Sequence, residues 1–339
     1  MQAAIYGLAG TELSADERGF FRDAKPAGYI LFRRNIETRE QLLRLTNSLR
    51  ELEGHDGVAI LIDQEGGRVA RMRPPEWPAF PAAESFDKLY QLAPSSAIEA
   101  ARVNARALGL MLVECGVTVD CLPLVDVRQE GASDIIGDRA LGSEPMQVSA
   151  LGRAQLDGLA SAGVIGVVKH IPGHGRALVD SHLSLPVVGV SQVALRQSDF
   201  LPFQALRHAP FAMTAHVVFP ELDPDRPATT SRRVIARTIR GELGIEGLLL
   251  SDDLAMNALQ GDPAERALAA LEAGCDLALH CTGRLEETRA VLGAVPPLAP
   301  SLAARLEGVM AAFAATPALP LDARAAEAQL VSLLAGAVA

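Results

Sequence analysis

Eight short apolar runs recur along the chain, and the stretches between most of them have helical periodicity. The runs are "AAIYGL" from Ala3, "GYILF" from Gly28, "VAILID" from Val58, "VTVDCLP" from Val117, "GVVKH" from Gly166, "FAMTAH" from Phe211, "GLLLSD" from Gly247 and "CDLALH" from Cys275. Runs this short and this apolar read as strands buried on both faces, and strands that alternate with helices build a parallel sheet. The intervening segments carry start signals. Thr38 precedes "REQLLRLTNSLREL", Ser191 precedes "QVALRQSDFLPFQALRHA", and Asp262-Pro263 opens "AERALAALEAG", which ends on glycine. Eight β-then-α units in 339 residues predict a single-domain (β/α)8 barrel spanning 1–339. A doubly wound open sheet gives the same alternation and is the alternative.

Composition narrows the partners. The net charge of −10 argues against nucleic acid, because phosphate binding needs a basic patch and none is evident. The first twenty residues lack the basic start and apolar run of a secretory signal, and no apolar stretch is long enough to span a bilayer. Cys115, Cys121, Cys275 and Cys281 lack CxxC spacing and sit at or near predicted strands, which reads as reduced, partly buried thiols. The expectation is a cytoplasmic protein with no membrane contact, no obligate protein partner and no cofactor or metal.

A strand buried on both faces has little reason to end in a polar residue, yet nearly every run here does. Asp63 ends the third, Asp120 and Asp126 sit in or after the fourth, and Lys169 with His170 ends the fifth. His216 ends the sixth, Asp252 and Asp253 the seventh, and His280 the eighth. Taken singly, each reads more simply as a satisfied core group or a helix cap. Jointly they would meet at one mouth of a barrel, the face that carries active sites, so the pattern points to an enzyme.

Three chemistries compete for such a mouth. His170 and His174 have i, i+4 spacing, but "HIPGHG" contains a proline and two glycines, which oppose the helix that would aim both rings at zinc. A phosphate site needs glycine-rich donors after the last strands, and "HCTGRLEETR" offers one glycine. A sugar fits better. Carboxylates and cations hold hydroxyl groups directionally, and glycoside cleavage needs a nucleophile or base on one side of the anomeric carbon and an acid on the other. Asp252 is a carboxylate at a strand end, and the loop from Gly173 to Gly189 can bring a proton donor across from it.

The motifs "IDQEGGRVAR", "IIGDRALG", "KHIPGHG…DSH" and "LLLSDDLAM", in this order between about Gly28 and Asp276, resemble glycoside hydrolase family 3. The resemblance is to its bacterial branch of β-N-acetylhexosaminidases, which remove N-acetylglucosamine from cell-wall fragments. It implies a retaining hydrolase of N-acetylglucosaminyl muropeptides, a small-molecule substrate. It also implies Asp252 as nucleophile, His182 as acid/base and Asp180 as its carboxylate partner, with Asp63, Arg71, Arg139, Lys169 and His170 binding the non-reducing sugar. Histidine suits the acid/base role because it titrates nearer neutrality than a carboxylate. Larger family members carry a second α/β domain; about sixty alanine-rich residues follow the eighth run here, so the resemblance places the acid/base on a loop of the barrel itself.

Several residues stay open. His174 reads as loop packing or as support for a neighbour, Asp253 as a cap or support beside the nucleophile, and His216 and Asp120 as pocket lining. Phosphorolysis, with phosphate in place of water, and a sugar sensor without catalysis are the competing functions.

Overall fold

The computed structural model describes residues 1–181 and 184–315. Eight parallel strands, β1 (Gln2–Gly7), β2 (Pro26–Leu31), β3 (Ala59–Ile62), β4 (Val119–Asp120), β5 (Ile165–Ile171), β6 (Phe211–Thr214), β7 (Leu248–Leu250) and β8 (Ala278–His280), pair in the order β7-β6-β5-β4-β3-β2-β1-β8. The ring closes where Leu250 bridges Leu277 in parallel and the Ser251 N–H donates to the Leu277 carbonyl at 3.0 Å. Each predicted run contributes one strand, and the open-sheet alternative falls away because β7 and β8 meet.

Two elements depart from the sequence reading. The run from Val117 yields only two strand residues, because Pro123 has no N–H to give a ladder. The chain still follows β5 beyond that point, with the Val167 N–H donating to the Leu122 carbonyl at 2.9 Å and the Val125 N–H to that of Lys169 at 2.9 Å. The helix expected after Ser191 is two short ones, Gln192–Gln197 and Phe200–Ala205. It breaks at Ser198-Asp199, where the buried Asp199 carboxylate turns to accept from Arg176 Nε at 2.8 Å.

The other helices follow their signals. Thr38 caps Arg39–Glu53 by accepting from the Gln41 N–H at 3.1 Å. Asp262 and Glu265 form a capping box on Pro263–Ala273, and Gly274 ends that helix at a φ of 118°. All four cysteines are free, and they are fully rather than partly buried. Among the described residues no helix is long and apolar enough to cross a membrane.

The end of β7 is braced. A π-helical segment, Val234–Glu242, delivers Arg240, which donates to the Gly247 carbonyl at 2.7 Å and to Asp276 Oδ2 at 2.6 Å. The same Asp276 oxygen accepts the Leu249 N–H at 2.8 Å, tying the approach to β8 onto β7. Asp252 follows this braced strand by two residues.

Candidate active site

Five of the polar strand-end residues, Asp63, Lys169, His170, Asp252 and Asp253, line one cavity of about 260 Å³ at the C-terminal mouth of the barrel, while Asp120, Asp126, His216 and His280 are not part of its lining. Asp63, Arg71, Arg139, Lys169, His170 and Asp252 all line it. Asp180 is half-buried on the loop beside it, and its neighbour Ser181 reaches the cavity wall. His182 lies outside the described residues.

A ladder of alternating charge runs through this wall. Asp63 accepts from Arg71 at 3.1 Å through one oxygen and from Lys169 Nζ at 3.0 Å through the other. Lys169 also reaches Glu65 Oε1 at 2.6 Å, and Glu65 takes Arg139 in a two-point fork at 2.8 and 2.7 Å. Lys169 is 2% exposed, and burial acts against its charge, but the carboxylates of Glu65 and Asp63 more than offset this and keep it protonated. Burial likewise pushes the Glu65 carboxyl up, and Arg139 and Lys169 bring it down to about 2. Three cations against two carboxylates leave the ladder one positive charge.

The sequence reading missed Glu65. It stands two residues beyond Asp63 in the "IDQEGGRVAR" motif, a spacing that puts side chains on one side of an extended chain. The turn after it needs glycine. Gly66 has a φ of 99°, and a Cβ there would lie 2.3 Å from the Pro81 carbonyl oxygen.

Asp126 also emerges as a hub. Its Oδ2 lies 2.7 Å from His170 Nδ1, and its Oδ1 accepts the His174 N–H at 2.5 Å. A carboxylate at Nδ1 fixes the proton there and leaves Nε2 as the nitrogen that a ligand can meet. His174 lines the cavity and is 3% exposed, with Nε2 3.2 Å from the Ser181 hydroxyl. Burial and the neighbouring His170 bring His174 down to about 4, so it is neutral at physiological pH. It supports the loop rather than merely packing against it.

Two aspartates in sequence are driven apart. Burial pushes Asp252 up, but the His170 and His216 rings, the Asp253 N–H at 2.8 Å and Lys169 together hold it below the usual carboxylate range. At Asp253 burial wins and the carboxyl is raised, although its Oδ1 accepts from the Ala255 and Cys281 N–H groups. Asp253 therefore caps the turn after β7. His216 and Asp120 are tied into the barrel interior and do not line the cavity, although the His216 ring acts on Asp252 from behind it. His216 lies between the Thr229 hydroxyl at 2.7 Å and the Asp253 carbonyl at 3.0 Å. Fully buried Asp120 accepts the Gln64 N–H at 3.0 Å, and desolvation raises its carboxyl well above the ordinary value.

The loop leaves β5 through a tight point. Gly175 packs flat on the chain after β4, where a Cβ would come within 2.0 Å of the Val127 carbonyl oxygen. Alanine there must shift backbone on one side or the other. Gly175→Ala is expected to destabilise the protein by about 1–3 kcal/mol, read as a lower thermal midpoint. An unchanged midpoint would show that this contact relaxes freely.

A closed parallel barrel with its polar groups gathered at the C-terminal mouth defines the class of barrel enzymes. Within that class the chain belongs to glycosyl hydrolase family 3: residues 4–311 match the family's "Glycosyl hydrolase family 3 N terminal domain". A beta-hexosaminidase of Alkalilimnicola ehrlichii is 40% identical over 311 residues, covering 90% of this chain and 88% of that one. One from Bordetella avium is 38% identical over 278 residues, 81% and 79% of the two chains. Among solved structures, NagZ from Neisseria gonorrhoeae in complex with N-trifluoroacetyl-D-glucosamine superposes with a TM-score of 0.86 at 30% identity, covering 100% of this chain and 98% of that one. The protein is a glycoside hydrolase related to the beta-hexosaminidases.

Proposed function

We propose that the protein is a retaining exo-β-N-acetylglucosaminidase. In this reading it removes terminal β-linked N-acetylglucosamine from muropeptides during cytoplasmic cell-wall recycling, with residues 1–339 acting as one catalytic domain. The observation that carries the reading is the pairing, in one cavity, of a carboxylate kept ionised at Asp252 with the Asp63–Lys169 ion pair, which Glu65 backs from behind the cavity wall. Asp63, Arg71, Arg139, Lys169 and His170 hold the hydroxyl and acetamido groups of the non-reducing sugar.

Asp252 then forms a bond to the anomeric carbon while the glycosidic C–O bond breaks, and His182 gives its proton to the departing oxygen. In the second half His182 takes a proton from water, the oxygen of which bonds the anomeric carbon as the Asp252 ester bond breaks. Asp180 orients the ring of His182 and balances the charge that the ring carries before it gives up its proton and again after it takes one from water. The hexosaminidase names of the relatives favour water over phosphate as the acceptor.

A comparison of aryl N-acetyl-β-glucosaminide with aryl β-glucoside tests the reading, with the first-formed anomer and the effect of added phosphate both recorded. The expected result is strong preference for the acetamido sugar, a β-configured product and no dependence on phosphate. An inverted product or a sugar phosphate overturns it. For the acid role, His182→Ala is expected to lose about 10²- to 10⁴-fold on a poor leaving group and much less on one that needs no protonation. Equal losses on both count against His182.

A further inference from the structure

The turn that presents Asp252 is held from inside the barrel by groups that do not line the cavity. The Nε2 of His216 lies 3.0 Å from the Asp253 carbonyl, and its Nδ1 lies 2.7 Å from the Thr229 hydroxyl. Thr229 stands in the short turn Ala228–Thr230, and its hydroxyl also meets that of Thr214 at 2.8 Å and the Ala215 carbonyl at 3.0 Å. Thr214, His216 and Thr229 are each 0% exposed. Buried hydroxyls cost free energy unless paired, and here they are paired toward one histidine.

The partners dictate where the protons sit. A carbonyl oxygen can only accept, so Nε2 carries a proton whatever the charge of the ring. In the neutral ring Nδ1 is then an acceptor, filled by the Thr229 hydroxyl, which in turn accepts from Thr214. If the ring gains a second proton, Nδ1 donates to Thr229, and the Thr229 hydroxyl turns to the Ala215 carbonyl. Thr229 thus serves both charge states of the ring without moving it.

Residue 253 is gripped on both sides of its backbone. Its N–H donates to Asp252 Oδ1 at 2.8 Å, and its carbonyl accepts from His216. A tilt of the ring would therefore move the N–H on which Asp252 rests. The groups that face the ring are Asp252 and Asp253 after β7, His170 in β5, and the two threonine hydroxyls. Burial brings the ring down from its ordinary value and His170 adds to this, while Asp252 and Asp253 act the other way. Cys275 backs the turn, with Sγ 3.7 Å from the Thr229 carbonyl, and burial pushes its thiol up to about 12, so it adds no charge.

We propose that the Thr214–Thr229–His216 chain is a positioning device for the nucleophile: it keeps the His216 Nε2–H on the Asp253 carbonyl and so fixes the turn in which Asp252 stands. The proposal rests on the reading of Asp252 as nucleophile. Thr229, far from the cavity in sequence and absent from its lining, becomes a positioning residue for the reaction.

Thr229→Val and Thr229→Ser test it on the aryl N-acetyl-β-glucosaminide, with kcat/KM followed against pH and the Kd of N-acetylglucosamine measured beside it. Thr229→Val is expected to lower kcat/KM about tenfold near neutrality, as an unpaired buried ring nitrogen implies. It should also move the acid limb to higher pH, because the ring is one of the groups that hold the Asp252 carboxyl down. Thr229→Ser should restore both. The Kd should stay within about twofold of wild type, since neither the ring nor the hydroxyl lines the cavity. An unchanged profile in Thr229→Val overturns the device. So does a loss equal at every pH that serine does not rescue, because a packing role is served better by isosteric valine. If Thr229→Val does not fold, the wild-type protein carries the test. Its ring-nitrogen chemical shifts should show His216 protonated at Nε2 through the neutral range, and an Nδ1–H tautomer overturns the device. An inert Asp252→Asn beside an unchanged Thr229→Val sinks this device alone; a fully active Asp252→Asn sinks the nucleophile reading and this one with it.

Discussion

Asp252→Asn is expected to lower turnover of an aryl N-acetyl-β-glucosaminide by at least about 10³-fold while leaving the fold intact. The asparagine keeps the shape of the side chain and an oxygen for the Asp253 N–H, which Asp252 Oδ1 now accepts at 2.8 Å. What it lacks is the negative charge that attacks the anomeric carbon in the proposed mechanism. That charge is costly where it stands, since burial pushes the carboxyl up and only the His170 and His216 rings, one N–H and Lys169 hold it ionised. Removing it should therefore leave the thermal midpoint unchanged or slightly higher. In the smaller Asp252→Ala variant, azide enters the vacated space as a replacement nucleophile and is expected to restore part of the turnover as glycosyl azide. Full activity in Asp252→Asn would remove Asp252 from the mechanism, and a collapsed midpoint would make the loss structural.

The sequence displayed the barrel clearly because buried strands leave two marks, an apolar run and a polar end. At β7, "GLLLSDD" carried both, and the observed strand Leu248–Leu250 stops just short of the aspartates. The same marks overstated β4, because ladder hydrogen bonding fails at Pro123 whatever the apolar pattern suggests. Residues that line the cavity directly were legible as polar strand ends or within motifs. Those that hold them were legible only in part: Asp126 stood out as a polar residue after the fourth run but without its partners, and Glu65 did not stand out at all. Glu65 and Asp126 act through contacts over long sequence separations, to Arg139 and Lys169 in one case and to His170 and His174 in the other. No periodicity records such contacts, and an acidic residue in a loop reads as solvated surface until the fold places it. His216 and Asp120 show the converse, strand-associated polar residues that the fold turns inward.

Glu65→Ala is expected to cost about 3–5 kcal/mol of stability, because it breaks a buried ion network from its middle. Arg139 loses both points of its fork, and Lys169, 2% exposed, keeps only Asp63. Glu65→Gln should fare little better. One of its terminal atoms becomes an N–H donor facing a guanidinium or ammonium donor, so a fork or the lysine contact is lost either way. The acid limb of the stability curve gives a separate readout. The Glu65 carboxyl, ordinarily near 4.5, is held at about 2 in the folded protein by Arg139 and Lys169. A depressed folded value means that the unfolded chain takes up the proton first as pH falls. The stabilisation is therefore complete above about 4.5 and drains away as pH drops toward 2. Wild-type stability should fall steeply across that window, and Glu65→Ala, weaker from the start, should fall less steeply. KM should rise in both variants, since Lys169 and Arg139 would no longer be held where the terminal sugar meets them. A midpoint within a degree or two of wild type, with the same acid limb, would show that the ladder does not carry the stability its geometry implies.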